Sequence, residues 1–310
     1  SYRFGQFSSG EGEQHKLSLW KGFSLPNDGS LTFAIEYGSQ DYANNTNPDN
    51  RRFYPQSYPN AEYLEANSPY RNWRFGSPKV NDQVNSVLNG ELPLTDTIKL
   101  YGFATYGYKE SVGQNFYQPP STNTTLNQNP YYLARYPHGR ITTSVYSLYD
   151  HAITAGLKDN DFLDGKLDFS VNYGRNKAAQ LYTNGINPSY GYDSPSEYKV
   201  GENINEQSNV NLDYQKQIAL AFLNEPITFA TGIAYRKEQY QQIAGDRISY
   251  TRGPYFNPSP VIGVGVPEIY SGITDQDERK ISRNVFGGYV DVEAKILPKL
   301  VAGAAFRAEN

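Results

Sequence analysis

The segment Ser30-Leu-Thr-Phe-Ala-Ile-Glu-Tyr-Gly38 decides the fold class, because its side chains alternate between two kinds. The odd-numbered residues are large and mostly apolar, whereas the even-numbered residues are small or polar. A period of two is typical of a β-strand that has one apolar and one polar face. The turn sequence Pro26-Asn-Asp-Gly29 precedes this strand, and about forty polar and aromatic-rich residues separate it from the next one.

The same alternation predicts about ten strands, which short turns join in pairs. The predicted strands are 16–25, 30–39, 80–92, 97–109, 144–157, 166–176, 208–218, 227–240, 284–296 and 299–310. The long connections between the pairs are 40–79, 110–143, 177–207 and 241–283. Short turns at one end and long loops at the other are typical of outer-membrane β-barrels. We therefore expect an all-β, antiparallel, up-and-down transmembrane β-barrel with short periplasmic turns and long extracellular loops.

Composition narrows the class of protein further. No run in the 310 residues approaches the roughly 18 consecutive apolar residues of a transmembrane helix. A helical membrane protein is therefore not expected, whereas barrel strands are compatible with the low mean hydropathy of -0.68. The absence of Cys excludes disulfides, thiolate nucleophiles and Cys-based metal sites. The net charge of -4 gives no indication of nucleic-acid binding.

Tyrosines stand at the ends of several predicted strands, namely Tyr37, Tyr173 and Tyr235. An amphipathic ring at such a position is typical of the girdle that a barrel places at the membrane–water interface. The alternative is ordinary strand propensity, since aromatic residues are favoured in strands generally.

Several motifs occur in a consistent order along almost the whole chain. They are Leu100-Tyr-Gly-Phe-Ala-Thr-Tyr106, Phe116-Tyr-Gln-Pro-Pro120, Arg135-Tyr-Pro-His-Gly139, Ile227-Thr-Phe-Ala-Thr-Gly-Ile-Ala-Tyr235, Arg283-Asn-Val-Phe-Gly-Gly-Tyr-Val-Asp-Val-Glu-Ala294 and Leu300-Val-Ala-Gly-Ala-Ala-Phe-Arg-Ala-Glu-Asn310. This series resembles the barrel of TonB-dependent outer-membrane receptors. Ala308 departs from the pattern, because family members often carry Tyr there.

The resemblance implies a plugged barrel of roughly 22 strands in the bacterial outer membrane. Residues 1–310 would then form part of the barrel domain, and the plug domain and the C-terminal strands would lie outside this sequence. The implied function is ligand-gated active uptake of a scarce solute of the ferric siderophore, cobalamin or oligosaccharide class, energised through TonB. The implied partners are outer-membrane lipid, lipopolysaccharide, the TonB complex through the missing N-terminal region, and a small-molecule ligand.

The candidate ligand-binding residues are aromatic and arginine side chains in the first two long loops. Aromatic rings offer large, rigid contact area, and arginine suits anionic ligands or stacking. The alternative is that these side chains pack the loops against each other and against lipopolysaccharide. The candidates are Arg71, Trp73, Arg74, Tyr117, Tyr131, Tyr132, Arg135 and Tyr136.

No catalytic, cofactor-binding or metal-binding motif is predicted, and His138 is expected in a turn. Two other function classes remain open at this stage. A passive porin-like channel has the same strand alternation, and a secreted all-β carbohydrate-binding protein is also rich in strands. The one-sided loop lengths argue against the latter, since sandwich strands usually have modest loops at both ends.

Overall fold

A computed structural model describes residues 1–44, 46–73, 76–120, 134–223, 225–255 and 272–310. Eleven strands form one antiparallel sheet in which they follow one another in chain order. Among the described residues its first and last strands do not pair with each other, so the sheet is open. In chain order the strands are β1 (Tyr2–Gly5), β2 (Gln14–Leu25), β3 (Gly29–Gln40), β4 (Ala43–Asn44), β5 (Gly76–Ser77), β6 (Lys79–Pro93), β7 (Ile98–Gln118), β8 (Arg140–Phe162), β9 (Gly165–Thr183), β10 (Tyr198–Ile218), β11 (Ile227–Ala244), β12 (Arg279–Leu297) and β13 (Leu300–Glu309), of which β4 and β5 form a separate two-stranded sheet.

The predicted up-and-down arrangement is confirmed, and all ten predicted strands are present. The sequence reading missed β1, which has only four residues and pairs with β2 from Tyr2 opposite Leu17 to Gly5 opposite Gln14. Among the described residues, the long connections hold the α-helix α1 (Ala61–Ala66) and the 3₁₀ helices Pro188–Asp193 and Arg247–Ser249.

The long loops begin later than predicted, because the strands beside them are longer. Residues 110–118, 140–143, 177–183 and 198–207 were expected in loops but belong to β7, β8, β9 and β10. Towards the long loops, the face that is apolar nearer the short turns also carries charged residues, as the ion pairs Lys177–Glu202 (2.7 Å) and Arg175–Glu206 (2.9 Å) show. The apolar–polar alternation therefore disappears while the backbone pairing continues.

Two tight turns depend on left-handed backbone conformations. Between β2 and β3, Asn27 and Asp28 have φ of 55° and 59°. Between β8 and β9, Leu163 and Asp164 have φ of 51° and 58°. Two successive residues with positive φ are typical of the turns whose twist suits a hairpin. The second turn was expected over 158–165, but β8 continues to Phe162, which pairs with Gly165 at the start of β9.

The register separates an apolar face from a polar face. Leu157, Phe169, Leu212 and Ile233 lie side by side on four successive strands. The next row holds Lys158, Asp168 and Asp213 on the opposite side of the sheet. Large apolar side chains of the first face are exposed over much of the sheet. A continuous exposed apolar surface of this kind calls for an apolar surrounding.

A row of tyrosines crosses the apolar face: Tyr37 on β3, Tyr106 on β7, Tyr173 on β9 and Tyr235 on β11. Following the cross-strand pairs from Tyr37 along the sheet leads to Tyr108 on β7, Lys177 on β9 and Gln241 on β11. Compared with these three residues, Tyr106, Tyr173 and Tyr235 lie two, four and six residues nearer the short turns. Their strands are two, four and six places from β3 in the sheet, so the row shifts by one residue for each strand. A shift of one residue per strand is about 3.3 Å along the strand for every ~4.8 Å across the sheet. The tyrosines therefore lie at one height only if the strands are tilted by roughly 35° from the axis along which that height is measured. That is the tilt of outer-membrane barrels.

Candidate functional site

The first long connection folds into a small module around aromatic side chains, which we call the first loop module (residues 46–73 with Tyr117 of β7). Phe53, Tyr54 and Tyr117 are almost completely buried, and Ala61 of α1 completes the cluster. The Tyr117 ring stacks on Tyr70 at 4.6 Å between centroids and meets the edge of Phe53 at 4.7 Å. Rings in these arrangements contribute beyond the apolar area they bury.

Arg71 lies inside this module with its guanidinium 3.9 Å from the centroid of the Phe53 ring. It donates hydrogen bonds to the carbonyl oxygens of Asp49 and Arg51 and forms an ion pair with Glu65. Burial raises the pKa of Glu65, but the N–H groups of Tyr54 and Phe53 and the guanidinium of Arg71 together bring it below its ordinary value. The Glu65 carboxylate therefore holds the backbone at Phe53 and Tyr54 and the side chain of Arg71 together.

Trp73 stands at the rim of the module. Its indole N–H donates to Asp49 at 3.2 Å, and its ring meets the edge of Phe116 at 5.6 Å. The side-chain hydrogen bond from Arg51 holds the pKa of Asp49 below its ordinary value. Phe116 is 60% exposed, so this corner of the module presents an aromatic face to solvent.

The segment 135–140 joins the first loop module to the next one. The hydroxyls of Tyr58 and Tyr117 donate to the carbonyl oxygens of Pro137 (2.8 Å) and His138 (2.7 Å). Tyr54 lies within hydrogen-bond distance of Nδ1 of His138, at 3.2 Å. As predicted, His138 lies in a turn.

The same segment also binds the following connection. Arg135 donates to the carbonyl oxygen of Ser194, and the Tyr136 hydroxyl donates to that of Gly185 at 3.1 Å. The buried Arg140 donates to the carbonyl oxygen of Asn184 at 2.6 Å and lies 5.3 Å from the Tyr136 ring. Residues 135–140 thus link the two sides of the loop region.

A second loop module consists of residues 184–197 and 246–255, and Asn187 is its centre. The fully buried side-chain amide of Asn187 donates to the carbonyl oxygens of Ile248 (2.7 Å) and Thr251 (2.9 Å). Its oxygen accepts from the N–H (3.2 Å) and hydroxyl (2.6 Å) of Ser189. All four hydrogen bonds available to an Asn side chain are therefore made.

The structure gathers five of the eight candidate residues. Arg71, Trp73 and Tyr117 belong to the first loop module, and Arg135 and Tyr136 join it to the second one. Arg74, Tyr131 and Tyr132 lie outside the described residues. Tyr117 is 1% exposed, and the guanidinium of Arg71 is directed at backbone oxygens, so their contacts build the loops.

The sequence reading did not identify Glu65, Asn187 or His138 as central to the loops. Asn187 before Pro188 carried a local signal, since Asn side chains commonly hydrogen-bond backbone two residues ahead. Nothing in the sequence indicated these partners, because Glu65 contacts backbone N–H groups of Phe53 and Tyr54, which any residue carries, and His138 lies 84 residues from Tyr54.

The polar face of the sheet carries a hollow of about 540 Å³ across β8 to β12. Asp150, Asn176, Asn205 and Tyr240 lie side by side along one row of its lining. The size falls in the range of small-molecule sites. Along the strands, the hollow lies beyond the level of the tyrosine row, towards the ends that lead into the long connections.

Among the described residues, no helix combines the length and apolar character needed to cross a membrane. Within the same part of the chain, no three His, Cys, Asp or Glu side chains group as metal ligands would. The loop region and the hollow offer aromatic faces, amides and paired charges, which are suited to binding.

No protein-family model matches the chain, and no curated protein matches its sequence. Solved structures do match its fold. Two variants of the ferric enterobactin receptor PfeA from Pseudomonas aeruginosa align with TM-scores of 0.55 and 0.54, at 13% and 12% identity. Each alignment covers 99% of this chain and 38% of the receptor. The ferric-catecholate import receptor Fiu of E. coli, in an open form, aligns with a TM-score of 0.48 at 12% identity, over 96% of this chain and 46% of that one.

The chain thus spans well under half the length of the receptors it matches. The alignment runs through the strands, and the order of the sheet is that of an up-and-down barrel. The chain therefore has the fold of a section of the β-barrel of TonB-dependent ferric siderophore receptors.

Proposed function

We propose that residues 1–310 form part of the barrel wall of an outer-membrane receptor that takes up a scarce small molecule with energy supplied through TonB. In this proposal the plug domain, the TonB-contacting segment and the remaining strands lie elsewhere in the protein. The observation that carries the proposal is the structural match of 99% of the chain to a ferric enterobactin receptor, with a TM-score of 0.55.

The arrangement of the two faces supports a location in the outer membrane. The apolar face would meet lipid, the polar face would line the interior, and the tyrosine row would mark the outer membrane surface. On β9, ten residues continue beyond Tyr173 to Thr183, about 33 Å of strand that would stand outside the lipid. The loop modules would then lie at the outer opening and interact with lipopolysaccharide at their sides.

The fastening of the loops supports a role in capture of a ligand. Both modules are joined by residues 135–140, so a ligand would meet loops that are already ordered. Preordering lowers the entropic cost of binding. The proposed role is therefore non-catalytic binding and transport.

Uptake by cells tests the proposal. A panel of ferric siderophores, cobalamin and neutral oligosaccharides is offered to cells that carry or lack the receptor gene, and to cells in which TonB is inactive. We expect at least one solute whose uptake is lost in both the receptor deletion and the TonB-deficient strain. Uptake that needs the receptor but continues without TonB would instead indicate a passive channel. A protein found in the aqueous fraction would point to the secreted binding protein.

A further inference from the structure

The polar face of β10 carries an uninterrupted row of short polar side chains. Every second residue of this strand from 203 to 217 is an amide, except for one Asp. In order, the row consists of Asn203, Asn205, Gln207, Asn209, Asn211, Asp213, Gln215 and Gln217. We call it the amide row. It extends over about 46 Å of strand, from the loop side of the tyrosine row to the short turns.

The amides are accessible along this row. Asn205, Gln207, Gln215 and Gln217 are exposed. Some of the amides also contact neighbouring side chains: Gln207 donates to Asn209 at 3.1 Å, and Asn211 donates to Ser170 at 3.3 Å. An amide both donates and accepts hydrogen bonds and carries no charge. The row therefore offers repeated, neutral hydrogen-bonding positions.

Several of the charges near the amide row have partners within the protein. Arg236 and Arg283 both contact Glu238, with 2.9 Å between Nε of Arg236 and the carboxylate. Lys158 lies 3.2 Å from Asp168. The Tyr289 hydroxyl donates to Asp213, the one carboxylate of the row, at 2.9 Å. An anionic ligand such as a ferric catecholate complex binds best to cations that lack a carboxylate partner.

The loop region offers aromatic surface above the same wall. Tyr63 and Tyr192 are each 69% exposed, and Phe116 is 60% exposed. A ring with one accessible face can pack on the apolar side of a sugar, while amides bind hydroxyl groups. The hollow of about 540 Å³ lies where Asn205 and Gln207 meet β9 and β11.

We propose that the amide row is a binding path for a neutral, linear oligosaccharide, so that the transported solute is a polyhydroxylated compound and not an anionic iron chelate. The inference rests on the proposed function, since it assumes that the polar face lines the interior. It selects one of the ligand classes that the fold leaves open. The alternative occupants of the amide row are an anionic chelate and a segment of the plug domain.

The uptake panel described above separates the two proposals. If the uptake of a neutral oligosaccharide is lost in both the receptor deletion and the TonB-deficient strain, both proposals are supported. If a ferric siderophore or cobalamin is lost instead, the uptake proposal stands and the oligosaccharide inference is overturned. If no solute is lost in both strains, the uptake proposal itself fails and the inference fails with it.

Variants of the amide row test its part in binding. The full-length receptor carrying Asn205→Leu and Gln207→Leu is purified in detergent and titrated with the oligosaccharide that the panel identifies. Losing two or three hydrogen bonds should weaken binding by about tenfold or more. Ser208→Ala, next to them on the other face of β10, should bind as the wild type does. Unchanged affinity in the double variant, or a lowered unfolding temperature without loss of affinity, would assign the row to contact with the plug and overturn the inference.

Discussion

Asn187 is the residue on which the second loop module depends most directly. Both of its N–H groups donate to carbonyl oxygens of the 246–255 segment, and the side chain is fully buried. Asn187→Leu keeps the volume but leaves those two buried oxygens without donors. We expect a loss of about 2 kcal/mol in local stability, which is roughly a thirtyfold drop in protection from hydrogen exchange over 184–197 and 246–255.

Asn67→Leu provides the matched control for that experiment. Asn67 is exposed and makes one side-chain hydrogen bond, to the carbonyl oxygen of Tyr63. Its replacement should change local stability by less than about 0.5 kcal/mol. Equal protection in both variants would show that the four hydrogen bonds of Asn187 do not hold the module together.

Glu65 makes the first loop module sensitive to acid. Its pKa is lowered in the folded state, so its contribution to stability is fully present above the ordinary value of 4.5 and is lost as the pH falls through the lower folded value. We expect residues 49–71 to exchange amide hydrogens faster than the intrinsic rates predict once the pH falls through the lowered pKa of Glu65, below its ordinary value of 4.5. Hydrogen exchange measured by mass spectrometry on the full-length receptor checks this.

Glu65→Gln should remove that acid response and raise exchange in the same segment at neutral pH. A Gln side chain keeps one acceptor oxygen for the backbone N–H groups of Phe53 and Tyr54 but no longer pairs with Arg71. If the wild type and the Gln variant respond alike as the pH is lowered from neutral to well below 4.5, another group controls the opening.

At this scale the sequence identified residue types but not the contacts that these residues make within the protein. Arg71 and Tyr117 were selected because arginine and tyrosine suit ligands, yet their contacts are within the protein. A sequence shows that a guanidinium is present but not which way it points. That direction depends on Glu65, whose own position depends on α1.

Strand β9 has two parts that differ in the character of one face. Leu167, Phe169 and Val171 alternate with polar residues, and beyond Tyr173 the same face carries Arg175 and Lys177. The alternation could be predicted because lipid would demand an apolar face there. The extension could not, since in water neither face needs to be apolar while backbone pairing continues.

A charge on each face of β9 tests the assignment of the faces. Val171→Arg places a cation on the apolar face, near the middle of the band between Leu167 and Tyr173. We expect it to destabilise the inserted barrel by about 2–4 kcal/mol, because a charged side chain in the middle of the lipid is poorly solvated. Ser170→Arg, one residue away on the polar face, should be tolerated. The amounts of folded receptor in purified outer membranes, measured by heat-modifiable gel mobility, distinguish the two.

Comparable amounts of both folded variants would contradict the placement of the apolar face in lipid. A loss of both variants would show that β9 is surrounded by protein on each side.

At the scale of the whole molecule, the sequence predicted the sheet more fully than the loop region. Strand order follows from chain order when every connection is a hairpin, so ten alternating segments were enough. The loop modules depend instead on contacts such as Tyr54 with His138 and Arg135 with Ser194. These partners are 84 and 59 residues apart, and no local pattern reports them.

The pairing of each strand with its chain neighbours has a consequence for how the protein forms. Every hairpin of the sheet closes a short stretch of chain, so the wall can grow one hairpin at a time against an edge that already exists. The contacts Tyr58–Pro137, Tyr136–Gly185 and Asn187–Thr251 each join residues on either side of a complete hairpin, so their partners meet only after that hairpin has formed. Assembly should therefore run from the wall to the loops, and the two loop modules should be the last parts to become ordered.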